Sequence, residues 1–228
     1  MAESISKSNT SLTEENYLKT IFHLSENKNW EAVSTNEIAE SIQNRAASVT
    51  DMLKKLAEKE YINYIKYQGV TLSIEGKAIA LNIIRKHRLW EVFLVEKLGF
   101  GWDEIHEIAE ELEHIESKEL TDRLDNYLGN PQFDPHGDPI PNIRGEMPIQ
   151  KTFKLTNVEI NKNLVLMGVS EDSSSFLQHL DRLQLKIGSS FRIINISEFD
   201  KSIEIMVRDS NTLFLSHAVA KNLMVILK

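Results

Sequence analysis

With 228 residues, 41% of them hydrophobic and 26% charged, the chain can fill two or three small domains. It has no cysteine, which excludes disulfides and thiolate metal sites. No apolar run approaches the roughly 18–20 residues of a membrane span, and the polar N-terminus lacks the apolar centre of a secretory leader, so a cytoplasmic protein with no membrane partner is expected. The net charge of −8 opposes nucleic-acid binding only if it is spread evenly, and it is not. Ten acidic and two basic residues lie between Asp103 and Asp125, whereas the signs balance five to five between Thr35 and Val70.

In chain order, Thr13–Ser25 carries Tyr17, Leu18, Ile21, Phe22 and Leu24 at helical spacing. Ser34 and Glu37 form a capping-box pattern that opens a second helix with Ile38, Ala39 and Ile42 on its apolar face. Ser48 and Asp51 form a similar pattern near the start of a third helix bearing Met52, Leu53 and Leu56. Tyr61–Tyr67, the Gln68-Gly69 turn and Val70–Ile74 read as a two-stranded hairpin. Helix, helix, turn, helix, hairpin is the order of a winged helix-turn-helix. A long helix is expected from Glu75 to about Lys97, another from Trp102 to about Ile115, and a third over Ser117–Tyr127. All five prolines fall between Pro131 and Pro148, which predicts a linker or an ordered irregular loop. Beyond it, Leu164–Val169, Phe191–Ile196, Ile203–Val207 and Leu213–Leu215 read as strands, with one helix near Ser175–Leu183. The fold class is mainly α with small β parts. Three domains are expected: 1–75; 76–146, ending in the proline-rich loop 130–148; and 149–228.

The start of the third helix suits the DNA major groove. Ala46 and Ala47 permit close approach, Arg45 can read guanine or bind phosphate, and Asp51 can accept from cytosine. Ser48, Thr50, Lys54 and Lys55 suit the phosphate backbone, and Lys66 with Tyr64 or Tyr67 belongs to the wing. A capped surface helix with solvated lysines, or a protein-binding winged helix, is the alternative on pattern alone.

In the acidic stretch Glu110, Glu113 and His114 stand at i, i+3 and i+4 on one helical face, with His106 one turn earlier. His87 and Glu91 are also four apart. Carboxylate and imidazole donors without sulfur favour Mn²⁺ or Fe²⁺, while Zn²⁺ or Ni²⁺ can bind more tightly in vitro. The competing reading is a solvated acidic face. A di-iron enzyme needs two Glu-x-x-His motifs on separate helices; Glu111 and His114 supply one, and the second is missing. His23, His179 and His217 are isolated, His136 reads as ordering the proline-rich loop, and Trp30, Trp90 and Trp102 read as packing residues.

Thr13–Leu18, Ala47–Thr50, Tyr64–Gly69, Arg85–Leu89 with Glu91, Glu110-x-x-Glu113-His114 and Pro135–Pro141 together resemble the iron- and manganese-dependent repressor (DtxR/MntR) family over nearly the whole chain. The tail after about Met147 resembles the SH3-like, FeoA-type β-barrel that some members carry. The resemblance implies a helical metal-binding and dimerisation domain, a homodimer on a palindromic double-stranded operator, and two metal sites per subunit. One would use Glu110, Glu113, His114 and Asn16. The other would use His87, Glu91 and His106, with Asp172, or Glu171 beside it, as an extra carboxylate. Family members commonly place Met or Asp where this chain has Asn16, and some have an amide ligand where it has Ser175. Glu110 is the manganese-type choice where iron-type members have Cys, so Mn²⁺ is expected and Fe²⁺ is the alternative.

Overall fold

The computed structural model describes residues 10–66, 68–207 and 211–228. In the first of two units, which runs to Lys86 and includes 113–115 and 141–146, Ser11 caps helix α1 (Leu12–Asn27) and closes a capping box with Glu14. Ser34 and Glu37 do the same for α2 (Thr35–Ser41), each box satisfying amides that a helix start leaves without partners. Helix α3 (Ala46–Glu58) follows. Strands β1 (Ile62–Ile65) and β2 (Gly69–Leu72) then pair antiparallel, Ile65 opposite Gly69. Leu18, Ile21, Phe22, Ile38, Val49, Leu53, Leu56 and Val70 have almost no exposed surface. Burial of each such side chain contributes about 1.5–3 kcal/mol, so the apolar stripes read from the sequence do form the core. Tyr67, assigned to the wing above, lies outside the described residues.

The expected cap at Ser48 is not where α3 starts. The helix begins at Ala46, with no side-chain cap on Arg45. Ser48 and Thr50 are already helical, and the Thr50 hydroxyl donates to the Ala46 carbonyl at 2.8 Å. A capping box needs Glu or Gln at its third helical position; the shorter Asp51 instead pairs with Lys54 at 3.1 Å.

Glu14 fastens α1 to α3. Its buried carboxylate accepts from the Ser11 N–H and meets Lys55 and Lys59 at 3.0 and 2.9 Å. Burial works against the charged form, but the Ser11 amide and the two lysines overcome it and hold the carboxyl down at about 2.

Helix α4 (Ile74–Leu98) begins in this unit and continues into the second. Near its start, a Cβ on Gly76 would lie 1.9 Å from the Tyr61 carbonyl oxygen, a packing that only glycine allows.

The second unit comprises 87–112, 116–140 and 147–228. It contains α5 (His106–Leu112) and α6 (Lys118–Tyr127), the latter capped by Ser117. The helix expected from Trp102 to Ile115 is therefore shorter at both ends. At its start the carbonyls that a helix would use are engaged by side chains: His136 Nε2–H donates to the Trp102 carbonyl and the Ser174 hydroxyl to that of Asp103. At its end, Glu113 and His114 follow Leu112 in a turn rather than on the helix.

The proline-rich segment is an ordered loop. The Asp134 N–H donates to the Asp138 carbonyl and that of Ile140 to the Gln132 carbonyl, at 3.0 and 2.8 Å. Beyond it come β3 (Phe153–Lys154), β4 (Asn163–Val169), α7 (Ser174–Arg182), β5 (Ser190–Ile196), β6 (Ile203–Val207), β7 (Asn211–Leu215), α8 (His217–Ala220) and β8 (Leu223–Leu227). The antiparallel sheet has the order β3-β8-β4-β5-β6-β7. Leu164, Leu166, Leu177, Leu180, Ile193, Ile205, Leu223 and Val225 form its core. Elements β3, α8 and β8 went unread in the sequence. The apolar run of β8 becomes a strand because β3 and β4 flank it, a long-range pairing with no local signature.

Candidate metal centre and nucleic-acid interface

The third helix turns Val49, Leu53 and Leu56 inward and leaves Arg45, Ala46, Ala47, Ser48, Asp51, Lys54 and Lys55 exposed, with Thr50 at the margin. This face follows the 3.6-residue period of the helix. Lys66 is exposed at the tip of the β1–β2 hairpin. The lysines are not equivalent. Lys54 is paired with the exposed Asp51, while Lys55 is committed to the buried Glu14, so the structure gives Lys55 a helix-fastening role that sequence reading had not assigned.

In the second unit, one carboxylate oxygen collects three imidazoles. Oε1 of Glu91, on α4, lies 3.1 Å from His87 Nε2, one turn earlier on the same helix. It lies 3.8 Å from His106 Nδ1, at the start of α5, and 3.8 Å from His136 Nδ1, in the proline-rich loop. His87, Glu91 and His106 have metal-ligand spacing, and so do Glu91, Asp134 and His136. Glu91, His87, Asp134 and His136 are buried, while His106 is about half exposed and reaches Glu110 at 3.5 Å.

Burial of this many titratable groups spreads their protonation. Burial disfavours charge on Glu91, but the imidazoles of His106, His136 and His87 around it win and hold its carboxyl well below the usual range. Burial, then the charges of Asp138 and Glu91, push Asp134 up to about 7 against the pull of Arg88 and His136. Burial also opposes the His136 imidazolium, yet Glu91, Asp134 and the Trp102 carbonyl raise it to about 9. Arg88 supplies a fixed positive charge, 3.5 Å from both Asp134 and Asp138. The donors are nitrogen and oxygen only, and protons and Arg88 balance the carboxylates. Such a set fits a borderline or hard dication that displaces the protons.

In the first unit the picture differs. The His114 Nδ1 is 2.7 Å from Glu15, and the buried Glu113 is 2.7 Å from the Lys19 ammonium. Glu15 and Lys19 are one turn apart on α1 and present one face to this pair.

Three profiles match the chain: "Iron dependent repressor, N-terminal DNA binding domain" over residues 9–70, "Iron dependent repressor, metal binding and dimerisation domain" over 73–142, and "FeoA domain" over 153–227. A solved structure described as a manganese-dependent transcriptional repressor in complex with manganese superposes with a TM-score of 0.83 at 33% identity. The match covers 94% of this chain and 100% of that one. The chain belongs to the family of metal-dependent transcriptional repressors. These are DNA-binding regulators and not enzymes. Among curated relatives, the iron-dependent repressor IdeR of Mycobacterium leprae is 33% identical over 133 residues, 58% of this chain and 56% of that protein. The regulator MntR of Oceanobacillus iheyensis is 36% identical over 114 residues, 50% of this chain and 76% of that one. The chain thus spans little more than half the length of the IdeR relatives it matches.

Within this repressor family the residues expected from sequence separate into two groups. His87, Glu91 and His106 come together. Glu110 touches only the edge of that cluster, through His106. Asn16 is exposed on α1, and the neighbouring Glu15 is the residue that meets His114. The side-chain period explains the exchange: Glu15 shares its face with Leu18 and Phe22, whereas Asn16 is rotated away from it. Asp172 is exposed in the loop between β4 and α7 and joins neither cluster. Sequence reading passed over Asp134 and took His136 for a loop-ordering residue. The available signal was the run Asp134-Pro135-His136-Gly137-Asp138-Pro139, in which Asp134 Oδ1 accepts from the N–H groups of His136 and Asp138.

Among the described residues, no helix is long and apolar enough to cross a membrane.

Proposed function

We propose that this chain is a cytoplasmic, manganese-responsive repressor that binds a palindromic operator as a homodimer. Its parts would be a DNA-binding domain (1–75), a metal-binding and dimerisation domain (76–146) and an SH3-like domain (149–228). The observation that carries the metal reading is the convergence of His87, His106 and His136 on one oxygen of the buried Glu91. These four, with Asp134, are the residues proposed to hold the ion. These residues would hold a dication in place of their protons, and its charge would neutralise the cluster. Fe²⁺ is the alternative, because the same oxygen and nitrogen donors suit it.

The remaining steps belong to the protein. Arg45, Ala46, Ala47 and Asp51 face base edges, with Ser48, Thr50, Lys54 and Lys66 at phosphates. Lys55 joins α3 to Glu14 and so holds the reading helix on α1. Glu15 and Lys19 bind α1 to His114 and Glu113. A second ion at Glu113 and His114 would have to displace the Lys19 ammonium, so the Glu91 cluster is proposed as the tighter position.

Fluorescence anisotropy with duplex DNA from the chain's own upstream region tests this reading. Excess MnCl₂ should tighten binding at least about 100-fold over chelator, a coupling of about 2.7 kcal/mol. Equal affinity in both conditions would make it a metal-independent regulator. Titration with Fe²⁺ and Zn²⁺ ranks the metals.

A further inference from the structure

Helix α7 carries Ser174, Gln178 and Asp181 at i, i+4 and i+7, a spacing that aligns three side chains on one helical face. All three bind Trp102 or Asp103, in the turn ahead of α5. The Ser174 hydroxyl donates to the Asp103 carbonyl at 2.7 Å, and Gln178 Nε2 donates to the Asp103 carboxylate at 2.8 Å. The indole N–H of Trp102 donates to Asp181 Oδ2 at 3.0 Å, and the Trp102 ring packs against the core of the sheet.

Trp102 also faces the other way. Its carbonyl accepts from His136 Nε2 at 2.8 Å, and its ring lies nearly parallel to the imidazole, with centroids 6.0 Å apart. A carbonyl can only accept, so Nε2 must carry the proton. The lone pair of a neutral imidazole then falls on Nδ1, the nitrogen that faces Glu91. The His136 backbone is held from the same side: its carbonyl accepts from the Val169 N–H at 3.0 Å. Next to it Gly137 (φ +91°) approaches β4 so closely that a Cβ would lie 2.0 Å from the Met167 carbonyl oxygen. Ring, tautomer and backbone of His136 are thus all fixed through contacts that lead to the residues after β3.

We propose that Trp102 is a positioning residue, held by Asp181 of α7, that presents His136 Nδ1 to a dication, so that the FeoA-like part of the chain sets metal affinity through this contact. Partners in this position typically change metal affinity 10- to 100-fold. The inference rests on the proposed Glu91 metal site.

The test is Mn²⁺ affinity of the full-length chain, measured by calorimetry. D181A and W102F should each weaken binding about tenfold. D181N, which keeps a carbonyl acceptor for the indole N–H, should restore it, and W102F/D181A should be no weaker than W102F alone, the non-additivity of one shared contact. In a W30F/W90F background, Mn²⁺ should quench Trp102 emission, and D181A should reduce that quenching. If D181A does not fold, S174A/Q178A takes its place, with an expected threefold loss. Unchanged affinity in these variants, with E91Q abolishing binding, overturns this inference alone. So does equal weakening by D181A and D181N. Failure of the wild-type chain to bind Mn²⁺, or intact binding by E91Q, overturns the metal site and this inference with it.

Discussion

Glu91 and Glu113 are both buried carboxylates beside histidines, but the protein neutralises them by different means. Glu91 relies on imidazoles whose protons can leave, with Asp134 beside them held near neutrality. Glu113 relies on Lys19, a cation tethered to α1. A dication competes easily with exchangeable protons and much less easily with an ammonium already at 2.7 Å. On the proposed reading, similar donor types would thus serve as a metal sensor in one place and a standing tie in the other. The residue that decides between them is one that no ligand count includes.

The largest effect that can break this comparison is expected from E91Q. Loss of the shared carboxylate should weaken Mn²⁺ at least about 1,000-fold, or about 4 kcal/mol, while circular dichroism stays that of the wild type. Retained affinity would mean that Glu113 and His114 are the main site.

K19A examines the other side. Removing the ammonium from a buried pair costs about 3 kcal/mol, so the metal-free variant should unfold at lower temperature. MnCl₂ should then recover more stability in K19A than in the wild type, because a dication can take the vacated charge position. An identical gain in both, read by thermal unfolding, would show that Lys19 does not compete with metal.

Proton competition gives the third expectation. Metal binds the deprotonated donors, so affinity should rise with pH as Asp134 passes about 7 and His136 about 9. One displaced proton gives about tenfold per pH unit, with matching proton release in calorimetry across buffers. A flat profile from pH 6 to 9 contradicts it. The metal-free chain should show the reverse trend. The folded-state value of His136 is raised, so its contribution to stability is complete below about 6.5 and is lost as pH climbs through about 9.

The smallest expected change sharpens the contrast by leaving both sites alone. S34A removes the cap of α2 and should lower stability by about 1 kcal/mol without altering Mn²⁺ affinity. A change in affinity would show that the two carboxylate regions are coupled through the DNA-binding unit.

Much of this was readable in advance. The winged helix-turn-helix follows from the apolar stripes of α1 to α3, the Ser34–Glu37 box and the Gly69 turn, all of them short-range patterns. His87 and Glu91 were legible as a pair because a helix sets residues four apart on one face. The same rule misled at Glu113 and His114. It assumed a helix continuing past Leu112, whereas the chain turns there and both side chains meet α1. It also named Asn16, although the face bearing Leu18 and Phe22 presents Glu15.

The sequence by itself determined the order of the DNA-binding elements, the apolar faces that drive them together, the donor chemistry and the family. Tertiary structure alone decided that His136 and Asp134 meet Glu91, that Lys19 meets Glu113, and that Trp102 connects His136 to α7. Helix and strand periods fix neighbours only a few residues apart. Groups distant along the chain meet only where packing has already fixed the backbone, so ring orientations, tautomers and shared protons become definite only in the folded chain.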